Sequence, residues 1–236
     1  MIRTPLRAIL LDFFGTLVEE DHTIIANICS EIAAASSINV SFQEVASRWS
    51  GRFHQLLNHC YMNRFRLLRK LECCMLQELL DHFEAPLDAR ILSEKLFSCW
   101  LKPQLWPETR DVLNRCRVPI CIVSNIDKDY LASALDYNSL SFEHIVTSED
   151  CKAYKPHSEP FLRALDKLHV KPHEALHIGD SLRSDIVGAK TLGIPALWIN
   201  RNGTSTMSEQ YKPDFQAKDL TALLDIVEGN GQIHRT

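Results

Sequence analysis

Ala8-Ile9-Leu10-Leu11-Asp12-Phe13-Phe14-Gly15-Thr16-Leu17 is an apolar run cut short by a carboxylate, two aromatic rings and a glycine. A run of this length reads as a buried strand over 6 to 13, with Gly15-Thr16 as the turn after it. Three later segments also set reactive groups beside apolar residues: Ile122-Val123-Ser124-Asn125, Tyr154-Lys155-Pro156, and Leu176-His177-Ile178-Gly179-Asp180-Ser181-Leu182-Arg183-Ser184-Asp185. Buried strands of a parallel sheet are continuously apolar, and ligands of open α/β sheets bind outside the strands' carboxyl ends. The pattern predicts that Asp12, Ser124, Lys155, Asp180 and Asp185 meet at one site.

The second strand, Val118 to Val123, begins about a hundred residues after the first. Between them Ile24, Ile25, Ile28 and Ile32 repeat at helical spacing, as do Leu67, Leu68, Leu71, Met75, Leu76, Leu79 and Leu80. Residues 20–99 therefore read as an all-helical inserted domain, with Lys102-Pro103 and Trp106-Pro107 leading the chain back. Helices from Glu108, Asp127 and Ser158 then alternate with strands ending at Ser124, near Ile145-Val146 and at Gly179, and a further helix to Leu192 precedes a strand from Ala196 to Ile199. Such alternation argues an α/β fold, a doubly wound Rossmann-like parallel sheet with right-handed crossovers. Residues 1–19 and 100–236 form this core domain, and the tail after about residue 228 is expected to fray.

The chain has 236 residues, enough for one ordinary domain plus an insert. Its eight cysteines include no Cys-x-x-Cys and no zinc spacing, which fits a reducing cytoplasm. No apolar stretch approaches the roughly 20 residues of a membrane span, so a cytoplasmic protein with no membrane partner is expected. With 26 Lys and Arg against 30 Asp and Glu, net −4, there is no basic excess for a phosphate backbone, and nucleic acid is excluded as a partner.

Asp12 ends a buried strand, where a carboxylate is costly unless hydrogen bonds or a metal compensate. Ser124 can donate to an anion, with Asn125 beside it. Asp180 and Asp185 offer the few hard oxygens that Mg²⁺ prefers, although Asp185 reads equally as a first-turn charge on a helix. Two nearby lysines, Lys152 and Lys155, compete for one role, and Lys155 is the one that directly precedes a proline.

These four segments, in this order, resemble the haloacid dehalogenase superfamily of hydrolases, whose signature is Asp-x-Asp-Gly-Thr, a strand-ending Ser or Thr, a Lys, and Gly-Asp-x-x-x-x-Asp. The resemblance runs from about residue 6 to about 200. It implies that Asp12 is the nucleophile, that Ser124 and Lys155 are catalytic, and that Ser124, Asn125, Lys155, Gly15 and Thr16 bind a small anionic substrate. It further implies Mg²⁺ held by Asp12, the Phe14 backbone carbonyl, Asp180 and Asp185, and a helical insert acting as a cap. A monomer or homodimer is expected.

Phe14 departs from the signature, standing where the family's phosphatases carry a second Asp that protonates the leaving group. A bulky aromatic there resembles the 2-haloacid dehalogenases, whose halide leaves without a proton. Those enzymes need no Mg²⁺, whereas this chain keeps Gly179-Asp180-Ser181. The leading expectation is a Mg²⁺-dependent phosphatase of a small phosphorylated metabolite. A 2-haloacid dehalogenase comes second, and a weakly active or non-catalytic ligand- or partner-binding protein third. His54, His59 and His82 of the insert are candidate proton donors, and Arg48, Arg52, Arg64, Arg66 and Arg69 candidate carboxylate or halide ligands.

Overall fold

The computed structural model describes residues 6–204 and 212–228, and the expected fraying of the tail falls on residues outside that range. Among the described residues six strands form one parallel sheet: β1 (Ala8–Leu11), β2 (Ile120–Ser124), β3 (His144–Thr147), β4 (Ala175–Gly179), β5 (Ala196–Ile199) and β6 (Phe215–Ala217), in the order β3-β2-β1-β4-β5-β6. Helices flank it in the doubly wound Rossmann-like manner. β1 is central and fully buried, as four consecutive apolar residues require. Its Leu11 pairs with Ile122 on one side and Ile178 on the other. Asp12, Ser124 and Asp180 thus all leave the sheet at the carboxyl ends of adjacent strands.

The crossover helix Ser158–Leu168 buries Phe161, Ala164 and Leu165, one helical stripe, in the same core as Ala8, Leu10, Val123 and Ala189. The helix expected to run to Leu192 comes in two pieces. Leu182–Ile186 winds as a wide π-helical turn, with the amide of Ile186 reaching back 3.2 Å to the Ser181 carbonyl, and Val187–Thr191 follows as α-helix. β6 had no counterpart in the sequence reading. It is three half-buried residues on the sheet edge.

By its internal contacts the chain divides into two compact units, one of residues 1–19, 104–125 and 140–236 and one of residues 20–103 and 126–139. The first carries the sheet. The second consists of helices His22–Ala35, Phe42–His59, Leu68–His82, Ala89–Leu101 and Lys128–Tyr137. The last of these, which the sequence reading placed with the core domain, groups with the insert for identifiable reasons. Asp127 accepts from the amides of Leu68 (2.7 Å) and Arg69 (3.2 Å), capping in trans a helix whose own N-cap, Leu67, has no suitable side chain. Tyr130 stacks edge-on against Trp100, ring centroids 5.5 Å apart.

Leu71, Met75, Leu76 and Leu79 form the buried stripe of the third helix. Glu72 lies beside them, 3% exposed, with Oε2 unpartnered. Burial, with the Asp21 carboxyl adding repulsion, pushes its pKa well up. Asp21 is also raised, chiefly by burial, although it accepts the Trp100 indole N–H at 2.8 Å. Arg52 forks onto Glu78 (2.6 and 3.0 Å), and Arg69 pairs with Asp129, so these two arginines are engaged within the helical unit. No described helix is long and apolar enough to cross a membrane, and all eight cysteines are free thiols.

Candidate active site

Asp12 is the first residue past β1, its amide still held by the Ile178 carbonyl at 2.9 Å. Its carboxylate, 5% exposed, takes a 2.6 Å bond from Lys155 Nζ on Oδ1 and a weak one from Thr16 Oγ1 (3.3 Å) on Oδ2. The Thr16 hydroxyl also lies 3.5 Å from Asp180 Oδ1, so it bridges the two carboxylates. Gly15, at φ 83°, closes the turn between them: its amide bonds to the Val18 carbonyl (2.9 Å), and the amides of Leu17 and Val18 return to the Phe13 carbonyl (2.9 and 3.2 Å). Phe14 is half-buried, its ring edge-on to Phe13.

Lys155 is 2% exposed, and all three of its ammonium protons are used: by Asp12 Oδ1, by the Val123 carbonyl (2.7 Å) and by Asp185 Oδ1 (2.7 Å). Asn125 holds it from behind. The Asn125 amide accepts from the Lys155 backbone N–H (2.7 Å) and donates to the Lys155 carbonyl (3.0 Å), so it clamps the lysine's backbone. Ser124 is buried at the end of β2, opposite Thr147, and Lys152 is exposed.

Asp185, 1% exposed, spends both oxygens on protein donors: Oδ1 on Lys155 and on His177 Nε2 (2.9 Å), Oδ2 on the Ser181 amide (3.1 Å). His177 has no exposed surface. Its Nδ1 is unpartnered and burial lowers its pKa against the opposing pull of Asp185, so a neutral ring donates Nε2–H to the carboxylate. Phe161 packs edge-on against that ring at 5.0 Å, and a Cβ at Gly188 would fall 2.6 Å from Phe161.

Carboxylate oxygens of Asp12, Asp180 and Asp185 lie within 4.8 Å of one another, beside a single ammonium. The titration of the cluster reflects that imbalance. Burial pushes Asp12 up to about 6, with Lys155 opposing and Asp185 reinforcing. Burial also works against Asp185, but Lys155 and His177 outweigh it and hold it near 2. The two carboxylates correspondingly raise Lys155 above its ordinary value despite burial. Three carboxylates beside one ammonium leave two negative charges, which one divalent cation would balance, and the donor set of Asp12 and Asp180, two hard oxygen ligands with Asp180 half-exposed, fits an ion such as Mg²⁺.

Three residues around the site escaped the sequence reading. His177 had a visible signal, a lone polar ring in the buried run Ala175–Gly179. Trp198 of β5 donates its indole N–H to the Asp180 carbonyl at 2.7 Å. Arg201, just past β5, donates to the carbonyls of Gly15 (3.4 Å) and Thr16 (3.0 Å) and to Glu108 Oε1 (2.7 Å), with its guanidinium 4.1 Å above the Trp106 ring.

Residues 6–193 match the family model of haloacid dehalogenase-like hydrolases. Over 95% of the chain and 96% of the relative, the sequence is 24% identical to (S)-2-haloacid dehalogenase 4A of Burkholderia cepacia. Over 89 residues it is 37% identical to the glyceraldehyde 3-phosphate phosphatase of Pyrococcus furiosus, a match that spans 37% of each chain. The solved L-2-haloacid dehalogenase RSc1362 superposes with a TM-score of 0.78 at 19% identity, over 95% of this chain and the whole of that one.

Proposed function

Since the chain belongs to the haloacid dehalogenase-like hydrolases, and is a hydrolase, we propose that it is a Mg²⁺-dependent phosphatase of a small phosphorylated metabolite, with Asp12 as the nucleophile. One observation carries the choice of chemistry: oxygens of three carboxylates lie within 4.8 Å of one another, and two of the three share the one ammonium, an excess of negative charge that a divalent cation would offset. Asp12, Asp180 and the Phe14 carbonyl would hold the ion. Asp185, with both oxygens on protein donors, serves chiefly as the anchor of Lys155. When bound, the ion supplies positive charge to the phosphoryl oxygens.

In this reading the Asp12 carboxylate attacks phosphorus, and the leaving oxygen departs with the electron pair of its bond. Water then attacks phosphorus in the acyl phosphate, restoring Asp12 and releasing inorganic phosphate. Lys155 keeps Asp12 oriented throughout, and Ser124 donates to a phosphoryl oxygen. Phe14 has no proton to give. Its place beside the nucleophile favours substrates whose leaving group departs unprotonated, such as aryl or acyl phosphates and phosphoanhydrides.

The same Phe14 favours the second reading, 2-haloacid dehalogenase, in which Asp12 attacks carbon and halide leaves. The end-to-end match to dehalogenase 4A is consistent with it. Phosphate release from an aryl phosphate with and without Mg²⁺, set against chloride release from 2-chloropropionate, separates the two. Phosphate release that needs Mg²⁺ and is lost in Asp12→Asn is the expected result. Metal-independent chloride release would reverse the ranking, and inactivity in both assays would favour a binding role.

A further inference from the structure

We infer that Arg201 is a positioning residue for the nucleophile turn, acting through the backbone of Gly15 and Thr16; its bearing on turnover rests on the roles proposed above for Asp12 and Asp180. Thr16 links the arginine to the carboxylates. Its hydroxyl lies within reach of both of them (3.3 and 3.5 Å), while its carbonyl accepts from Arg201 Nη2 at 3.0 Å. Arg201 Nε reaches the neighbouring Gly15 carbonyl at 3.4 Å, so one rigid guanidinium spans two successive peptides of a turn that has only three residues between Asp12 and Thr16.

The guanidinium is itself held from two sides. Glu108 Oε1 takes its Nη2 at 2.7 Å, and the Trp106 ring lies 4.1 Å beneath it. Both belong to the segment that returns to the sheet after the insert, and that segment is stitched to the far end of the same turn. Trp106 N–H and Thr109 Oγ1 both donate to the Leu17 carbonyl, at 3.1 and 2.7 Å. The arginine and glutamate side chains are 16% and 15% exposed, so the pair is mostly sheltered from water, where a charge-assisted bond holds its geometry better than at an open surface. A lysine would keep the charge but cannot bond both carbonyls and Glu108 in one plane.

Loss of this brace frees the turn and displaces the Thr16 hydroxyl from the two carboxylates. The test uses the whole chain with Arg201→Ala and Arg201→Lys. The expected result for Arg201→Ala is a fall of about 10–100-fold in kcat, the usual scale for groups that orient active-site ligands, with KM little changed and partial recovery on adding methylguanidinium. Arg201→Lys should lie between Ala and wild type. Hydrogen exchange supplies a readout independent of turnover: the Gly15, Leu17 and Val18 amides, whose bonds close the turn, should exchange faster in Arg201→Ala while the β1 amides do not.

Unaltered kcat together with unaltered exchange at these amides would overturn the inference. So would a kcat loss that merely tracks the fraction unfolded and is not recovered by methylguanidinium. If Arg201→Ala fails to fold, the same two readouts on Arg201→Lys decide. An inactive wild type would count against the proposed hydrolysis, and the exchange measurement alone would then judge the role of Arg201.

Discussion

Asp12 and Asp185 in one unit and Glu72 in the other are each at most 5% exposed, and their surroundings treat them in opposite ways. In the sheet unit Asp12 and Asp185 face Lys155, which donates to both, and His177 adds a further bond to Asp185. In the helical unit Glu72 has an oxygen with no partner, and the half-buried Asp21 carboxyl, which accepts an indole N–H, raises the cost of ionising it. Burial alone therefore says little about charge. The sheet unit holds an ionic cluster whose carboxylates have charged or polar donors, whereas at Glu72 burial and the Asp21 carboxyl favour the neutral form.

The contrast breaks most visibly at Lys155. Lys155→Met leaves two buried carboxylates without their cation, and removing one partner of a buried pair costs about 3–5 kcal/mol. A melting-temperature drop of roughly 6–20 °C in calorimetry is expected for a chain of this size, together with loss of turnover. A variant as stable as the wild type would show that the cluster is not held by this ammonium.

A smaller effect is expected from Asn125→Ala, which leaves every charge in place but removes the clamp on the Lys155 backbone. Turnover should fall about tenfold, the lower end for orienting groups, with a destabilisation of about 1–3 kcal/mol for the two backbone groups left unpaired. Chemical denaturation and a kcat measurement check both figures.

The smallest effect runs the other way. Because the Glu72 pKa in the folded chain lies above its unfolded value, the neutral form's advantage is full below the unfolded pKa and is lost as pH rises through the folded one. Glu72→Gln mimics the protonated form. It should match the wild type near pH 4, and near pH 7 it should melt higher, by about 2–4 °C per kcal/mol regained. Melting curves across that pH range test the sign; a Gln variant less stable at neutral pH would mean that Glu72 is ionised with a partner of its own.

The sheet and the reactive groups were legible in the sequence for one reason: Asp12, Ser124, Asp180 and Lys155 end or border apolar segments, and parallel strands bring the residues at their carboxyl ends to one edge of the sheet. β6 was not, because Phe215–Ala217 is a half-buried edge strand of three residues with no apolar run to announce it. The helix Lys128–Tyr137 was visible, but not its grouping with the insert, since Asp127 caps a helix begun some sixty positions earlier in the chain. Trp198 and Arg201 were invisible for a similar reason. They act on main-chain carbonyls of Asp180, Gly15 and Thr16, atoms that every residue type carries, so no motif marks the acceptor. The bonds of Asn125 to the Lys155 backbone had no mark in the sequence either, since their partner lies thirty positions away.

Gly188 couples two distant positions of the chain through their packing. A methyl group there would meet the Phe161 ring at 2.6 Å, and that ring is the wall against which His177 stands while it holds Asp185. A lineage that admits alanine at 188 must shrink Phe161 in the same step or let the histidine shift and the carboxylate with it. Positions 188 and 161 are thus sterically coupled, and a survey of tolerated substitutions should find them changing together or not at all, although neither bears a group that reacts.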